Sequence, residues 1–461
     1  MANYLPRRKQ ILWFAVAFLF FSIWRGPKFW QAAQPPSRPG VLTAHMYDSG
    51  FPQGQENYSS CFVASDGRVY YVLDTNHIEI GAQMYSLDPS TKSIRHLGDL
   101  TEAVGEKNLH AIPQGKSHVQ FVESNGKLYF ATHLGYYDHL KYFGKQVSPT
   151  GEGYGTYPGG HFLSYDLSTG KFEEYAKAPL REGIIGMTMD TQRGRLYGLT
   201  WPSGLFLWYD LKTREMKNMG PVAGQAENGT GANWNMLDRS LSVNLEDGSC
   251  YFTISSGTIF RYRYDTNTIE QVLGSSLDKE HFGNWIDVNR SNCMGFNWLV
   301  ALWSPTFRTF YAIHGKSGYL FRFDPRSEDV EVLTRMVSNG TRKSGMNDLS
   351  DFGYLGFAFG PSGQILYHLT GAPLKGPADR TNADSNEKAR RGSALDLVIY
   401  EISSEKQVDH GVVEFEDGSR PDDAQALAIG KDGMVYAIAA VGRGRHSRRD
   451  LISFRNPVPD P

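Results

Sequence analysis

The chain has 461 residues, of which 21% are charged and 13% aromatic, with 49 glycines and 22 prolines. Abundant Gly, Tyr and Phe favour strands and turns over helices. The formal charge of −2, with no basic stripe interleaved with aromatics, excludes a nucleic-acid binder driven by its overall field.

The first element is an uncharged run, Ile11 to Trp24, preceded by Arg7, Arg8 and Lys9 and followed by Arg25 and Lys28. It is shorter than a standard spanning helix and has the length of a signal-peptide core. Ala32-Ala33 is the one weak cleavage site, so residues 1–33 read as a signal peptide or as an uncleaved anchor. The basic cluster before the run favours a cytoplasmic N-terminus and an exported remainder. Residues 34–40, QPPSRPG, read as a stiff linker, and residues 41–461 as the folded part.

Seven times after residue 60 the chain repeats an apolar strand, a short turn and a second strand built around a tyrosine. The copies are SDGRVYYVLD, SNGKLYFATH, QRGRLYGLTW, EDGSCYFTIS, TFRTFYAIHG, PSGQILYHLT and KDGMVYAIAA. Their tyrosines are Tyr70, Tyr129, Tyr197, Tyr251, Tyr311, Tyr367 and Tyr436, spaced by 54 to 69 residues. A third strand ending in an acidic turn usually follows, as in YSLDPSTK and SYDLSTGK, and leads into a fourth. Four antiparallel strands at this period form the blade of a propeller, and seven in a ring bury the faces that one blade leaves open. The sequence therefore predicts an all-β, seven-bladed β-propeller. The last unit stops after its third strand, so residues 41–48, VLTAHMYD, are expected to supply its outer strand and close the ring. Cys61 and Cys250 fall in apolar strands of different repeats and read as small buried residues. With Cys293 they form no CxxC pair and no zinc-finger spacing, so no metal site is expected from them.

In a blade, the residue before the first strand and the residue after the second meet at one mouth of the channel. The expected entries are Asn57, His118, Glu182, Arg239, Asn297, Asp351 and Asp423. The expected exits are Asp74, His133, Trp201, Ser255, His314, Thr370 and Ala440. A concave polar and aromatic rim of this kind is a candidate ligand site. In blade two His118 and His133 come to adjacent strand ends, side by side. The following loop, Leu134 to His161, carries Tyr136, Tyr137, His139, Tyr142, Tyr154 and Tyr157, and long loops in compact domains are often functional. Paired histidines with tyrosines suit general acid–base chemistry; they equally suit a metal, a sugar hydroxyl or the fixing of loop backbones. Two further stretches can reach this mouth: the amide-rich crossing from Gln225 to Arg239, and the polar loop from Gly371 to Arg391. Sequons stand at Asn57, Asn228, Asn289 and Asn339.

The segment GKSHVQFVESNGKLYFATHLGYYD, with the blade pattern around it, resembles β-propeller polysaccharide lyases of the ulvan lyase kind and, more distantly, oligogalacturonate lyases. The resemblance implies cleavage of uronate-containing polysaccharide by β-elimination. A cationic group neutralises the carboxylate, a His or Tyr takes the α-proton, and an acid protonates the leaving oxygen. His118 and His133 match the family's paired histidines in kind. Trp201 and Ile185 stand where the resemblance calls for Arg and Tyr, and Tyr136, Tyr137, Arg181 and Arg239 are the candidates to replace them.

The leading expectation is an exported propeller acting on an acidic polysaccharide, with His118, His133, Tyr137 and Arg239 as its catalytic set. Trp201 is expected to be a sugar-stacking platform, and Tyr136, His161, His314 and Asn233 further substrate contacts. No cofactor is identified. A second expectation is a non-enzymatic, membrane-tethered propeller that binds glycan or serves as a scaffold subunit of an envelope complex. A third is a calcium-dependent lactonase-type hydrolase using Glu182, Asn233 and Asp351.

Overall fold

The computed structural model describes residues 40–136, 153–230, 233–278, 282, 296–315, 317–339, 356–373, 393–421, 423–442 and 448–460. The chain divides into two units, Met1–Ser37 and Arg38–Pro461. The first, with the hydrophobic run, lies outside the described residues.

Blade one is built from β2 (Cys61–Val63), β3 (Val69–Leu73), β4 (Gln83–Asp88) and β5 (Ser93–Asp99). Blade two has β6 (Val122–Ser124), β7 (Lys127–Ala131), β8 (His161–Asp166) and β9 (Phe172–Lys177). Blade three has β10 (Gly183–Asp190), β11 (Arg195–Trp201), β12 (Leu205–Asp210) and β13 (Glu215–Pro221), and blade four β14 (Ser242–Val243), β15 (Cys250–Thr253), β16 (Thr258–Arg263) and β17 (Thr268–Ser276). Blade five has β18 (Trp298–Ser304), β19 (Thr309–His314), β20 (Tyr319–Asp324) and β21 (Asp329–Arg335), and blade six β22 (Phe357–Phe359), β23 (Ile365–Pro373), β24 (Ser393–Glu401) and β25 (Lys406–Phe415). Blade seven combines β26 (Ala424–Ile429), β27 (Met434–Val441) and β28 (Arg448–Arg455) with the N-terminal β1 (Gly40–Met46). Innermost strands touch from β10 through β14, β18, β22 and β26 to β2, β7 meets β10, and one apolar core spans blades one to three, so the ring is closed.

Burial peaks in the second strand of each blade and falls toward the outer edge. The second strands are fully buried, as in β3 and β11, whereas the fourth strands, such as β5 and β13, are largely exposed. All seven repeat tyrosines are buried, none more than 4% exposed. The Tyr70 and Tyr436 hydroxyls donate to Asp66 and Asp432 in the turn four residues earlier, while Tyr197 reaches across to the Gly248 carbonyl of the next blade. A buried aromatic ring contributes about 2 kcal/mol, which explains the sevenfold recurrence. The acidic turns have a local cause too. Asp88, Asp166 and Asp210 each accept backbone N–H bonds from the two residues that turn the chain.

β1 lies where the sequence places the closing strand, antiparallel to β28 with Ala44 opposite Phe454 and Met46 opposite Ile452. It also does something the sequence does not announce. Its first half pairs parallel with β25, from Gly40 opposite Gly411 to Ala44 opposite Phe415. Blades six and seven thereby share one eight-stranded sheet. Gly411 permits the approach: its φ is +97°, and a Cβ there would stand 1.8 Å from the Gly40 carbonyl oxygen.

Candidate functional site at the channel mouth

The site begins with a short pairing outside the regular strands. Lys116 and His133 form an isolated antiparallel bridge, with N–H···O bonds of 2.9 and 2.8 Å. Alternation along an extended chain then returns His118 to the face that carries Lys116. The two imidazoles meet edge to face, ring centroids 4.6 Å apart and planes at 80°. Blade one covers the other side: the Tyr58 ring stacks on His118 at 3.9 Å and 9°. Lys116 extends its ammonium over the same phenol ring, 5.2 Å from the centroid, and forms an ion pair with Glu56. The carboxyl of Asp74 accepts the Ser117 amide at 2.9 Å and so holds the backbone beside His118.

Blades three and four complete the cluster. Arg239 is bound to Glu227 and to the Leu237 carbonyl, both at 2.7 Å. The other Glu227 oxygen accepts the Trp201 indole N–H at 2.8 Å, and Trp201 meets the edge of His133 at 5.5 Å. Gly183 lies against the His133 ring so closely that a Cβ would stand 2.0 Å from Nδ1.

His118 and His133 are 5% and 0% exposed. Burial, then His133, Lys116 and Arg239, hold His118 well below the ordinary imidazole range. Burial, Lys116 and Arg239 do the same to His133, against a hydrogen bond to the Gly183 backbone. Both are therefore neutral at neutral pH. Among the described residues neither ring nitrogen of His118 has a hydrogen-bond partner, an unusual state for a buried polar group and one that calls for a ligand, a water or a chemical role. Burial pushes Asp74 well above the usual carboxyl range, although the Ser117 amide and Lys116 oppose it. Glu56 stays below its usual range because Lys116 outweighs its burial.

Tyr58 and Arg239 line a narrow cavity on the channel axis, with Gln120 and Gln425 beside them and Leu299, Phe357 and Leu427 opposite. It encloses about 350 Å³ counting its open mouth, but only about 10 Å³ admits the centre of a water molecule. That is room for a single water.

The structure brings His118, His133, Arg239 and Trp201 together, and it gives His161 and His314 partners of their own. Trp201 is 2% exposed and offers no free face, so it is a packing wall of the histidine pair rather than a stacking platform. His161 is clamped between Glu174 at 2.7 Å and Glu106 at 3.1 Å. His314 is buried, bonded to Ser317 at 2.8 Å and stacked on Phe282. Both histidines thus hold the blades rather than the mouth. Tyr136 is half-buried and packs against the core of blades three and four. Asn233 is exposed. Tyr137, His139 and Tyr142 lie outside the described residues.

Much of the expected polar rim is also used internally: Asn57 donates to Ser60 and Val72, Asn297 to Met236, and Asp423 pairs with Arg449. For the calcium reading, Glu182 already accepts the Thr200 hydroxyl at 2.6 Å and the Ser203 amide, and Asp351 lies outside the described residues. Among the described residues no group of three or more His, Cys, Asp or Glu side chains could hold a metal ion, and no helix is long and apolar enough to cross a membrane. Lys116, Glu56, Tyr58 and Glu227 are the site residues that the sequence reading missed. Lys116 stands two residues before His118, and that same-face spacing is the signal that was there to find.

No protein-family model matches the chain, and no curated protein matches it. Solved structures do. A catalytically inactive virginiamycin B lyase from Staphylococcus aureus with quinupristin aligns at TM-score 0.50 and 8% identity, over 90% of this chain and 99% of that one. The Swd1 β-propeller domain of Myceliophteria thermophila aligns at TM-score 0.49 and 10% identity, over 89% and 99%. At such identities the likeness speaks for the fold alone, and the chain is a β-propeller.

Proposed function

We propose that this protein is an exported propeller that takes the uronate groups of an acidic polysaccharide at the mouth of its channel and cleaves the chain by β-elimination. The observation that carries the reading is His118: buried, neutral, without a partner on either ring nitrogen, and flanked by Tyr58, Lys116 and Arg239. A neutral imidazole can remove the proton α to a carboxylate. A cation beside that carboxylate stabilises the charge that develops on it, and Arg239, which lines the cavity, is the residue that would serve here. As the α-proton passes to His118, its electron pair forms the carbon–carbon double bond and the bond from the β-carbon to the leaving oxygen breaks. That oxygen takes a proton from a phenol, for which Tyr58 is the described candidate. The hydrophobic run at residues 11–24 supports export, with membrane attachment if it stays uncleaved.

A second reading, a propeller that binds glycan or a protein partner without chemistry, is favoured by one observation. His133 and Trp201 are buried, and the enclosed part of the cavity is small. One experiment separates the two. The full-length protein is incubated with a panel of uronate polysaccharides while ultraviolet absorbance is followed. The lyase reading expects a rise from the conjugated unsaturated uronate. Binding without any rise supports the second reading, and neither signal on any substrate removes the acidic glycan from both.

A further inference from the structure

We infer that Tyr58 is a door over His118: its ring stands between the imidazole and the cavity, and the site opens when that ring swings away. This rests on the reading of His118 as the reacting group. Three observations carry it. The phenol ring lies parallel to the imidazole at 3.9 Å, which is the contact a bound ring would make. Tyr58 itself is half-buried and forms part of the cavity wall, whereas His118 behind it is 5% exposed. The two residues also differ in how firmly they are held. His118 follows the Lys116–His133 bridge and the Asp74–Ser117 bond. Tyr58 sits in an irregular bend between the bridge at Glu56 and the start of β2.

The latch is visible as well. The Tyr58 hydroxyl bonds to Glu56, which also holds Lys116, and the Lys116 ammonium lies over the phenol ring. A uronate carboxylate competes with Glu56 for the ammonium, and the apolar face of its sugar ring competes with the imidazole for the phenol. One movement of Tyr58 therefore uncovers the base and releases the phenol that would serve the leaving oxygen. An aromatic contact of this kind is readily exchanged for a ligand's, so the closed state protects His118 without locking it.

The test needs no substrate. Diethyl pyrocarbonate acylates neutral imidazole nitrogens that it can reach, and peptide mass mapping of the full-length protein reports the rate at each histidine. We expect slow labelling of His118 in the parent and labelling faster by about tenfold or more in Tyr58→Ala, because protection of a covered group scales with how rarely its cover opens. Tyr58→Phe keeps the ring and loses the latch, and its rate should fall between the two. His314 and His368, buried elsewhere in the ring, must stay unlabelled as proof of folding. If Tyr58→Ala fails that control, Tyr58→Leu removes the ring while filling its space, and the same acceleration is expected. Parent-like labelling of His118 in the folded variants would overturn the door, as would rapid labelling in the parent. Since no turnover is measured, the door can fail while β-elimination stands, and the reverse.

Discussion

The imidazole of His133 presents its edge to that of His118 with 4.6 Å between ring centroids, inside a pocket that also holds the cations of Lys116 and Arg239. Two rings this close cannot both be protonated there at low cost, so they titrate as a pair. In NMR titrations of the imidazole nitrogens, both should remain neutral at pH values where a free histidine is charged. Lys116→Met removes a nearby positive charge, and the apparent pKa of the pair should rise. If the neutral rings provide the base, the acid limb of the pH–rate profile lies below pH 6.5, the ordinary histidine value. It moves upward in the same variant.

Gly183 is the surface on which the His133 ring rests. A Cβ there would stand 2.0 Å from Nδ1, with β10 backbone on one side and a packed core on the other. Gly183→Ala should cost about 1–3 kcal/mol in urea unfolding, the usual penalty for overfilling a close-packed site. It should also change the His133 nitrogen shifts. A variant with parental stability and unshifted resonances would show that the ring does not depend on this glycine.

The closure by β1 makes its own forecast. Only Ala44 of that strand is buried, so its hold is mostly the two rows of backbone hydrogen bonds. Gly411→Ala places a methyl against the Gly40 carbonyl at a φ of +97° and should lower stability by about 1–3 kcal/mol. Amide exchange should accelerate first at residues 42–46. Uniform acceleration across all blades would mean that the clasp is not a separate unit.

His368 supplies a pH signature far from the mouth. It is fully buried, and burial lowers its pKa from 6.5 to about 4, although the hydrogen bond to the Gly356 backbone works the other way. Its unfolded form takes up a proton below pH 6.5 while the folded form resists until about 4, so its contribution to stability is lost as the pH falls through that window. Between about pH 7 and pH 5 the loss is about 2 kcal/mol. In urea titrations, the stability of His368→Leu relative to the parent should improve by that amount over the same interval. An unchanged difference would mean that His368 titrates normally.

The fold was legible because each repeat tyrosine is a buried core residue, so the pattern records a packing requirement that recurs seven times. The His118–His133 contact was legible for a related reason: strand alternation and hairpin geometry fix which residues share a strand end. Residues brought in from other blades were not. Tyr58 and Glu56 reach His118 across the junction of blades one and two, a contact that no local pattern encodes. Lys116 looks like a surface lysine until its ion pair with Glu56 is seen. The burial of Trp201, His161 and His314 was not legible because a polar or aromatic residue at a strand end can turn either to the channel or into the blade interface. Glu227, Glu174, Glu106 and Ser317 draw them into the interface. The parallel pairing of β25 with β1 depends on one glycine conformation and left no periodic trace.

The most direct test of the central claim is the initial rate of ultraviolet absorbance increase on a uronate polysaccharide for the full-length parent and for His118→Gln, which keeps a polar side chain at that position. With His118 as the base, the variant should retain its fold and substrate binding while its rate falls by about 100-fold or more. A His118→Gln protein that eliminates at the parental rate would place the chemistry elsewhere and contradict the account.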